Sequence, residues 1–180
     1  NGTPTFFDQT VNHSFPTQEE AKEFDDARRK YLRDWCPKAV FIIDHWAREE
    51  ISVEHFDVKL RSLLSEVSPF SREVLFISQV PVLPIDHQIN LREFVTWRLR
   101  NGKPSPRMEP DGNEHLRQAT VTTATACVKD YPNLRVLRTD LPFYKEDGSI
   151  RYFEGREFFY ADANHLTDVG AEQGRDIIRK

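Results

Sequence analysis

Residues 72–83 read REVLFISQVPVL, and this stretch decides the fold class. It is a continuous apolar run, which is typical of a strand that is buried on both faces. Two similar stretches occur in the chain, AVFIID at 39–44 and LRVLRTD at 134–140. Because helical patterns separate the three runs, the sequence predicts a parallel sheet with helices on both faces. Residues 156–162, REFFYAD, are predicted to form either a short further strand or an extended approach to the segment that follows.

Working outward from this strand, four helices are predicted from apolar residues spaced three and four apart. The first covers 18–33, with Thr17 as its N-cap and an apolar side formed by Ala21, Phe24, Ala27 or Arg28, Tyr31 and Leu32. The second covers roughly 53–67, with Ser52 as its N-cap and Val53, Phe56, Leu60, Leu63, Leu64 and Val67 directed inward. The third covers 114–130, and the last begins at Thr167 or Asp168.

The proline-rich region 84–113 surrounds a short helical piece, NLREFVTWRLR, and is predicted to form a wall of a substrate cleft. These elements together predict the α/β class, as a three-layer α/β/α architecture with a parallel, flavodoxin-like sheet. With 180 residues, the chain is long enough for a single domain with its own core.

Composition excludes several classes of protein. Hydrophobic residues make up 38% of the chain and charged residues 30%, with a net charge of −4 and no basic stripe of the kind that binds nucleic acid. No apolar run approaches the ~20 residues of a membrane span. Cys36 and Cys127 lack the spacing of a zinc site, and a disulfide and two buried free thiols stay equally open. No metal or other cofactor is predicted.

Polar residues follow the predicted strands at the points where they end. In doubly wound folds, ligands bind outside the carboxyl ends of the strands. The residues at such positions, and therefore the candidates for chemistry, are Asp44, His45, Trp46, Ser78, Asp140, Asp162 and His165.

The stretch YADANHLTDVGAEQG, residues 160–174, places Asp162 three residues before His165. Its DANHLTDVGAE segment resembles the D-x-x-H-L-[ST]-x-x-G-A ending of SGNH (GDSL-like) hydrolases, specifically the SGNH domains fused to family 3 membrane acyltransferases. CPKAVFIIDHW (36–46) and REVLFISQVPVL resemble two strands of that group. The resemblance extends over residues 30–178, and its last block is the specific one.

The resemblance implies that Asp162 orients His165 and that His165 is the general base toward a serine. It implies transfer of an acyl group, acetyl by analogy, from a donor through a serine ester to a hydroxylated acceptor such as a cell-surface glycan. His45 and Trp46 would line the cleft. A fused membrane acyltransferase domain is the implied partner, and the implied location is the extracytoplasmic face of a membrane.

The sequence departs from the family pattern around the expected nucleophile. No Gly-Asp-Ser block occurs in the 180 residues, and no strand precedes the helix at 18–33. The first residue is Asn, which indicates a processed terminus or a fragment of a longer protein. We therefore expect either the C-terminal part of an SGNH domain without its nucleophile strand, or a degenerate, non-catalytic binding module. A small α/β domain unrelated to this superfamily is the third alternative.

Each candidate also has a purely structural interpretation. Asp162 could form an Asx-turn beside an ordinary histidine, and Ser78 is more simply a satisfied hydroxyl at a strand end. Asp25 and Asp26 are predicted to lie on a solvated helix face. The aromatic run 158–160 is predicted to belong to the core.

Overall fold

The computed structural model describes residues 17–43, 52–86 and 89–179. Its helices are α1 (Gln18–Trp35), α2 (Val53–Val67), α3 (Leu91–Arg100), α4 (Glu114–Cys127), α5 (Asp168–Gln173) and α6 (Arg175–Arg179). Its strands are β1 (Ala39–Ile42), β2 (Glu73–Ile77), β3 (Leu134–Leu137), β4 (Phe153–Glu154) and β5 (Glu157–Phe158).

The three longer strands form a sheet in the order β1-β2-β3. β1 and β2 are parallel, with Ala39 opposite Glu73 at the start of the register. β2 and β3 also run in the same direction. The amide of Val74 donates to the carbonyl oxygen of Asn133, and the amide of Ser78, four residues later, donates to that of Leu137, also four residues later. The predicted α/β class with a parallel sheet is therefore confirmed.

Local signals place the starts of the first two helices correctly. The side chain of Thr17 accepts a hydrogen bond from the Glu20 amide at 3.2 Å, and Ser52 does the same for His55 at 3.2 Å. Such caps satisfy amides that have no partner inside the helix. α1 ends at Cys36, whose φ of 42° is left-handed.

The prediction that Asp25 lies on the solvated face of α1 is wrong. Asp25 is buried, with 1% of its surface exposed, whereas Tyr31 is exposed. The carboxylate of Asp25 pairs with Arg28, whose guanidinium lies 4.6 Å from the centre of the Phe24 ring. A charged partner one turn away makes burial of the carboxylate tolerable, and apolar spacing cannot reveal that pairing.

Strand burial also differs from the prediction in two places. Phe41 of β1 is half exposed, because β1 is an edge strand within the described part of the chain. β2 ends at Ile77, and the following apolar residues continue as buried, irregular chain. Proline at position 81 cannot donate to a ladder, and the Leu83 amide donates to Ala163, outside the sheet.

Of residues 156–162, where the sequence left a short strand and an extended segment open, only Glu157–Phe158 form a strand. β5 has two residues and pairs antiparallel with β4, so it is separate from the parallel sheet. Gly155 occupies the turn between them with a φ of +58°, a conformation that glycine adopts without strain.

The chain divides into two compact units, and α4, β2 and β3 each contribute residues to both. The described residues of the first are 17–43, 52–76 and 122–136, and those of the second are 77–86, 89–121 and 137–179. The first contains most of the parallel sheet with α1 and α2, and the buried face of α2 is Phe56, Leu60, Leu64 and Val67. A single domain over 1–180 stays a prediction.

The two cysteines both belong to the first unit, and both are free thiols. Cys36 is exposed, and Cys127 is buried. Burial raises the pKa of the Cys127 thiol. The structure therefore shows two free thiols rather than a disulfide, and the expectation that both are buried is wrong for Cys36.

The second unit has its own hydrophobic core, which is rich in aromatic residues. Phe143, Phe159 and Tyr160 are almost fully buried, and the ring of Phe143 makes edge-to-face contacts with the other two at 6.4 and 5.5 Å. The run 158–160 thus lies in the core, as predicted. Edge-to-face pairs add to the stabilisation from area burial.

Helix α5 starts against this core through a close backbone contact. A Cβ added at Gly170 would lie 1.9 Å from the carbonyl oxygen of Phe159. Only a residue without a side chain allows this approach, so the position of α5 depends on the glycine.

We expect Gly170→Ala to lower the free energy of unfolding by about 1–3 kcal/mol or more, because the backbone of Phe159 must move away. Urea denaturation measures the change. Gly112→Ala is the matched control, since a Cβ there meets nothing within 4 Å, and its effect should stay within about 0.5 kcal/mol. Equal effects of the two variants would contradict the close-contact explanation.

Candidate functional site

Asp162 and His165 lie in direct contact at the end of the aromatic run. One carboxylate oxygen of Asp162, Oδ2, is 2.8 Å from the ring nitrogen Nδ1 of His165. The other, Oδ1, accepts hydrogen bonds from the backbone amides of Asn164 at 3.0 Å and His165 at 2.9 Å. The carboxylate therefore forms an Asx-turn and holds the imidazole at the same time, so the two interpretations of Asp162 are compatible.

The hydrogen bonds determine the charge of this carboxylate. Partial burial acts to raise the pKa of Asp162, but the amides of Asn164 and His165 and the imidazole of His165 outweigh it and hold the pKa below its usual range. An ionised carboxylate accepts a proton-bearing Nδ1, which leaves the Nε2 lone pair of the neutral ring available. Since the side chain of His165 is 74% exposed, Nε2 is accessible to a reacting group.

The loop that carries the pair is tied to neighbouring chain at both edges. The amide of Ala161 donates to the carbonyl of His165 at 2.8 Å, which closes the loop on itself. The amide of Leu83 donates to the carbonyl of Ala163 at 2.8 Å, and the hydroxyl of Tyr160 donates to the carbonyl of Pro81 at 2.8 Å. The segment after β2 thus fixes the position of the loop within the second unit.

Thr167 fixes the loop at its other end. Its amide donates to the carbonyl of Phe159 at 3.0 Å, and its hydroxyl donates to the carbonyl of Phe158 at 2.6 Å. The same hydroxyl accepts from the Gly170 amide at 3.1 Å and so caps α5. The prediction that the terminal helix starts at Thr167 or Asp168 is confirmed, with Thr167 as the cap.

A second polar cluster follows β2 and β3, and its Ser78 and Asp140 side chains are buried. The Ser78 hydroxyl donates to Asp140 Oδ1 at 2.5 Å and accepts from the Asp140 amide at 3.1 Å. Arg138 binds both oxygens of that carboxylate, at 2.8 and 2.7 Å. Only 3% of the surface of Ser78 is exposed, so Ser78 is the satisfied, buried hydroxyl that the structural interpretation predicted.

The structure thus brings together Asp162 with His165, and Ser78 with Asp140. His45 and Trp46, which the sequence places in the lining of the cleft, lie outside the described residues, as does Asp44. Sequence reasoning did not assign the supporting roles of Tyr160 and Arg138. A tyrosine inside an apolar run was an available signal, because a buried hydroxyl needs a hydrogen-bond partner.

Two further observations concern the described parts of the chain. No group of three or more His, Cys, Asp or Glu side chains there is arranged to hold a metal ion. Nor does any helix in these parts have the length and apolarity needed to cross a membrane.

Comparison with known proteins adds a family and a fold. The family model described as "SGNH domain (fused to AT3 domains)" matches residues 1–180. No curated protein sequence matches the chain. Among solved structures, the periplasmic domain of a lipopolysaccharide acetyltransferase from Salmonella ser. Paratyphi A is similar, with a TM-score of 0.65 and 13% identity over 98% of this chain and 67% of that one.

A second solved structure is a putative platelet activating factor from Streptococcus pneumonia, with 13% identity over 79% of this chain and 58% of that one. Its TM-score of 0.46 is too low for an argument. At 13% identity, the likeness to the Salmonella domain shows the fold alone.

We expect Asp162→Asn to lower stability at neutral pH and to matter less in acid. Because the folded-state pKa of Asp162 is depressed, its contribution is fully present above the unfolded-state pKa of about 4 and is lost as pH falls through the folded-state value. Urea unfolding of both proteins at a series of pH values should show the difference shrinking below about pH 4. A difference that stays constant down to pH 2 would contradict this account.

Proposed function

The chain belongs to the family of SGNH domains that are fused to AT3 domains, and on this premise we propose that it moves an acyl group through a serine ester. The observation that carries the proposal is the contact of Asp162 with Nδ1 of His165, at 2.8 Å, beside an exposed Nε2. An imidazole held in this way is suited to act as a general base toward a hydroxyl nucleophile.

The proposed reaction has two halves. The serine oxygen attacks the acyl carbonyl of the donor while its proton passes to Nε2 of His165, and the tetrahedral intermediate then collapses as His165 returns the proton to the leaving group. In the second half, His165 takes the proton of an acceptor hydroxyl as that oxygen attacks the ester, and it then returns the proton to the departing serine oxygen. Asp162 stabilises the imidazolium in both halves. Water in place of the acceptor gives hydrolysis.

The serine itself is proposed to lie on a strand that is not among these 180 residues. The sequence contains no Gly-Asp-Ser block. Ser78 is unsuitable because Asp140 occupies both its donor and its acceptor capacity in a buried cluster. The parent protein, with its upstream segment, is therefore the catalytic unit in this proposal.

The acceptor, the partner and the location are proposed by analogy with the family. We propose that the acyl group is acetyl, that the acceptor is a hydroxyl of a cell-surface glycan, and that a fused membrane domain supplies the acyl group. The Salmonella structure is a periplasmic domain of a lipopolysaccharide acetyltransferase, which supports placement on the extracytoplasmic face of a membrane.

A non-catalytic binding module is the second candidate. It is favoured by one observation: within the described residues, no serine hydroxyl contacts the ring of His165, whose hydrogen bond goes to Asp162. The two candidates differ in whether acyl transfer by the parent protein depends on His165.

We expect His165→Ala in the full-length parent protein to lower hydrolysis of an activated aryl acetate, and acetyl transfer to its glycan, by about 10²–10⁴-fold. The loss follows from removal of the general base. Initial rates on purified protein measure it, and circular dichroism checks the fold.

His55→Ala is the matched control, because His55 is an exposed histidine near the start of α2 in the first unit. That variant should keep wild-type rates. Unchanged rates in the His165 variant would reject the catalytic proposal and leave the binding module.

A further inference from the structure

A groove in the second unit lies between helix α3 and the β4–β5 hairpin. Arg92, Thr96 and Leu99 line it from the helix, one turn after another. Phe153, Arg156 and Phe158 line it from the hairpin. Its volume is about 210 Å³, below the ~300–1,000 Å³ of sites for drug-sized ligands, so it has room for a single ring with its substituent.

The hairpin separates its apolar side chains from its acidic ones. The register places Phe153 opposite Phe158 and Glu154 opposite Glu157. The two phenylalanine rings stack, with centroids 5.5 Å apart and 21° between their planes. Neighbouring residues of a strand point to opposite faces, so the glutamates lie on the face away from the phenylalanine pair.

 The stacked rings of Phe153 and Phe158 make the hairpin side of the groove apolar.

Positive charge is concentrated beside this surface. Residues 91–107 contain five basic side chains and one acidic one, although the whole chain has a net charge of −4. Nearby arginines are already paired, since Arg107 binds Asp147 at 2.7 Å and Arg151 binds Glu154. In the described parts of the chain, Arg92 and Arg156 have no carboxylate partner, and Arg92 lies 5.6 Å over the ring of Phe158.

Phe158 connects the groove to the candidate active site. Its ring lines the groove, and its carbonyl oxygen accepts the Thr167 hydroxyl that caps α5. Thr167 lies two residues after His165, so a single short segment supports both the general base and the wall of the groove. A ligand held in the groove is thereby bound by the same compact unit that presents His165.

We propose that the groove binds a sugar residue with an anionic substituent, a carboxylate or a phosphate ester, on the acceptor glycan. This inference rests on the proposed function, since it assigns the acceptor of that reaction to a chemical class. The guanidinium groups of Arg92 and Arg156 bind the anion, and planar guanidinium matches either substituent. Leu99 and Phe153, which is backed by the buried ring of Phe158, contact the apolar face of the sugar ring, and the hydroxyl of Thr96 is available to a sugar hydroxyl.

Binding is tested on the full-length protein that carries His165→Ala, so that no turnover occurs. The probes are oligogalacturonate, glucose 6-phosphate and neutral maltohexaose. Saturation-transfer NMR detects their binding, and titration calorimetry measures the dissociation constants. We expect one or both charged probes to bind, more weakly as salt is added, and maltohexaose to bind at least tenfold more weakly. Which charged probe binds identifies the substituent.

Arg92→Gln combined with Arg156→Gln should raise the dissociation constant of the charged probe by about tenfold or more, because two charge-assisted hydrogen bonds are lost. Arg100→Gln is the matched control, since Arg100 is an exposed arginine of α3 that does not line the groove. The dissociation constant of the charged probe for this variant should stay within twofold of the value for the protein with both arginines of the groove intact. Thr96→Trp fills the groove without changing charge and should also weaken binding.

Equal binding of charged and neutral probes, or no effect of both the double variant and Thr96→Trp, would overturn the proposal. Its failure is separable from failure of the proposed function. Loss of aryl acetate hydrolysis on His165→Ala tests the chemistry, whereas the binding experiment reports on the groove alone.

Discussion

The hydrogen bonds from Thr167 to the carbonyl oxygens of Phe158 and Phe159 are the constraint on which the candidate site depends. They join the start of α5 to the buried aromatic run, and the contact of Gly170 with the same backbone leaves no room for another arrangement. The loop between them is held at both ends. A loop fixed in this way can keep an exposed imidazole in one orientation, which general-base chemistry requires.

Two carboxylates of the second unit have similar sequence contexts and different environments. Asp140 is buried, its charge is neutralised by Arg138, and its hydrogen bond with Ser78 occupies that hydroxyl. The hydrogen bonds of Asp162 hold its pKa below the usual range, and its side-chain partner is a ring that faces solvent. Both follow predicted strands, and only their surroundings distinguish them. The exposed pair is therefore the one that can meet a substrate.

Local features of the fold could be read from the sequence because their partners are close in the chain. The caps Thr17 and Ser52 bind amides three residues away, and Asp162 binds the third residue after it. Burial was less predictable. The pattern of α1 predicts Asp25 on a polar face, yet Asp25 is buried and forms an ion pair with Arg28. Whether this ion pair is buried depends on how α1 packs.

The sequence by itself determined the α/β class, the order of the main elements and the spacing that pairs Asp162 with His165. These depend on apolar periodicity and on hydrogen bonds between near neighbours. Only the tertiary structure decided that Ser78 is occupied by a carboxylate 62 positions away, that the last predicted strand is a hairpin, and that α3 faces this hairpin across a basic groove. Such contacts join distant parts of the chain, and no local pattern encodes which parts will meet.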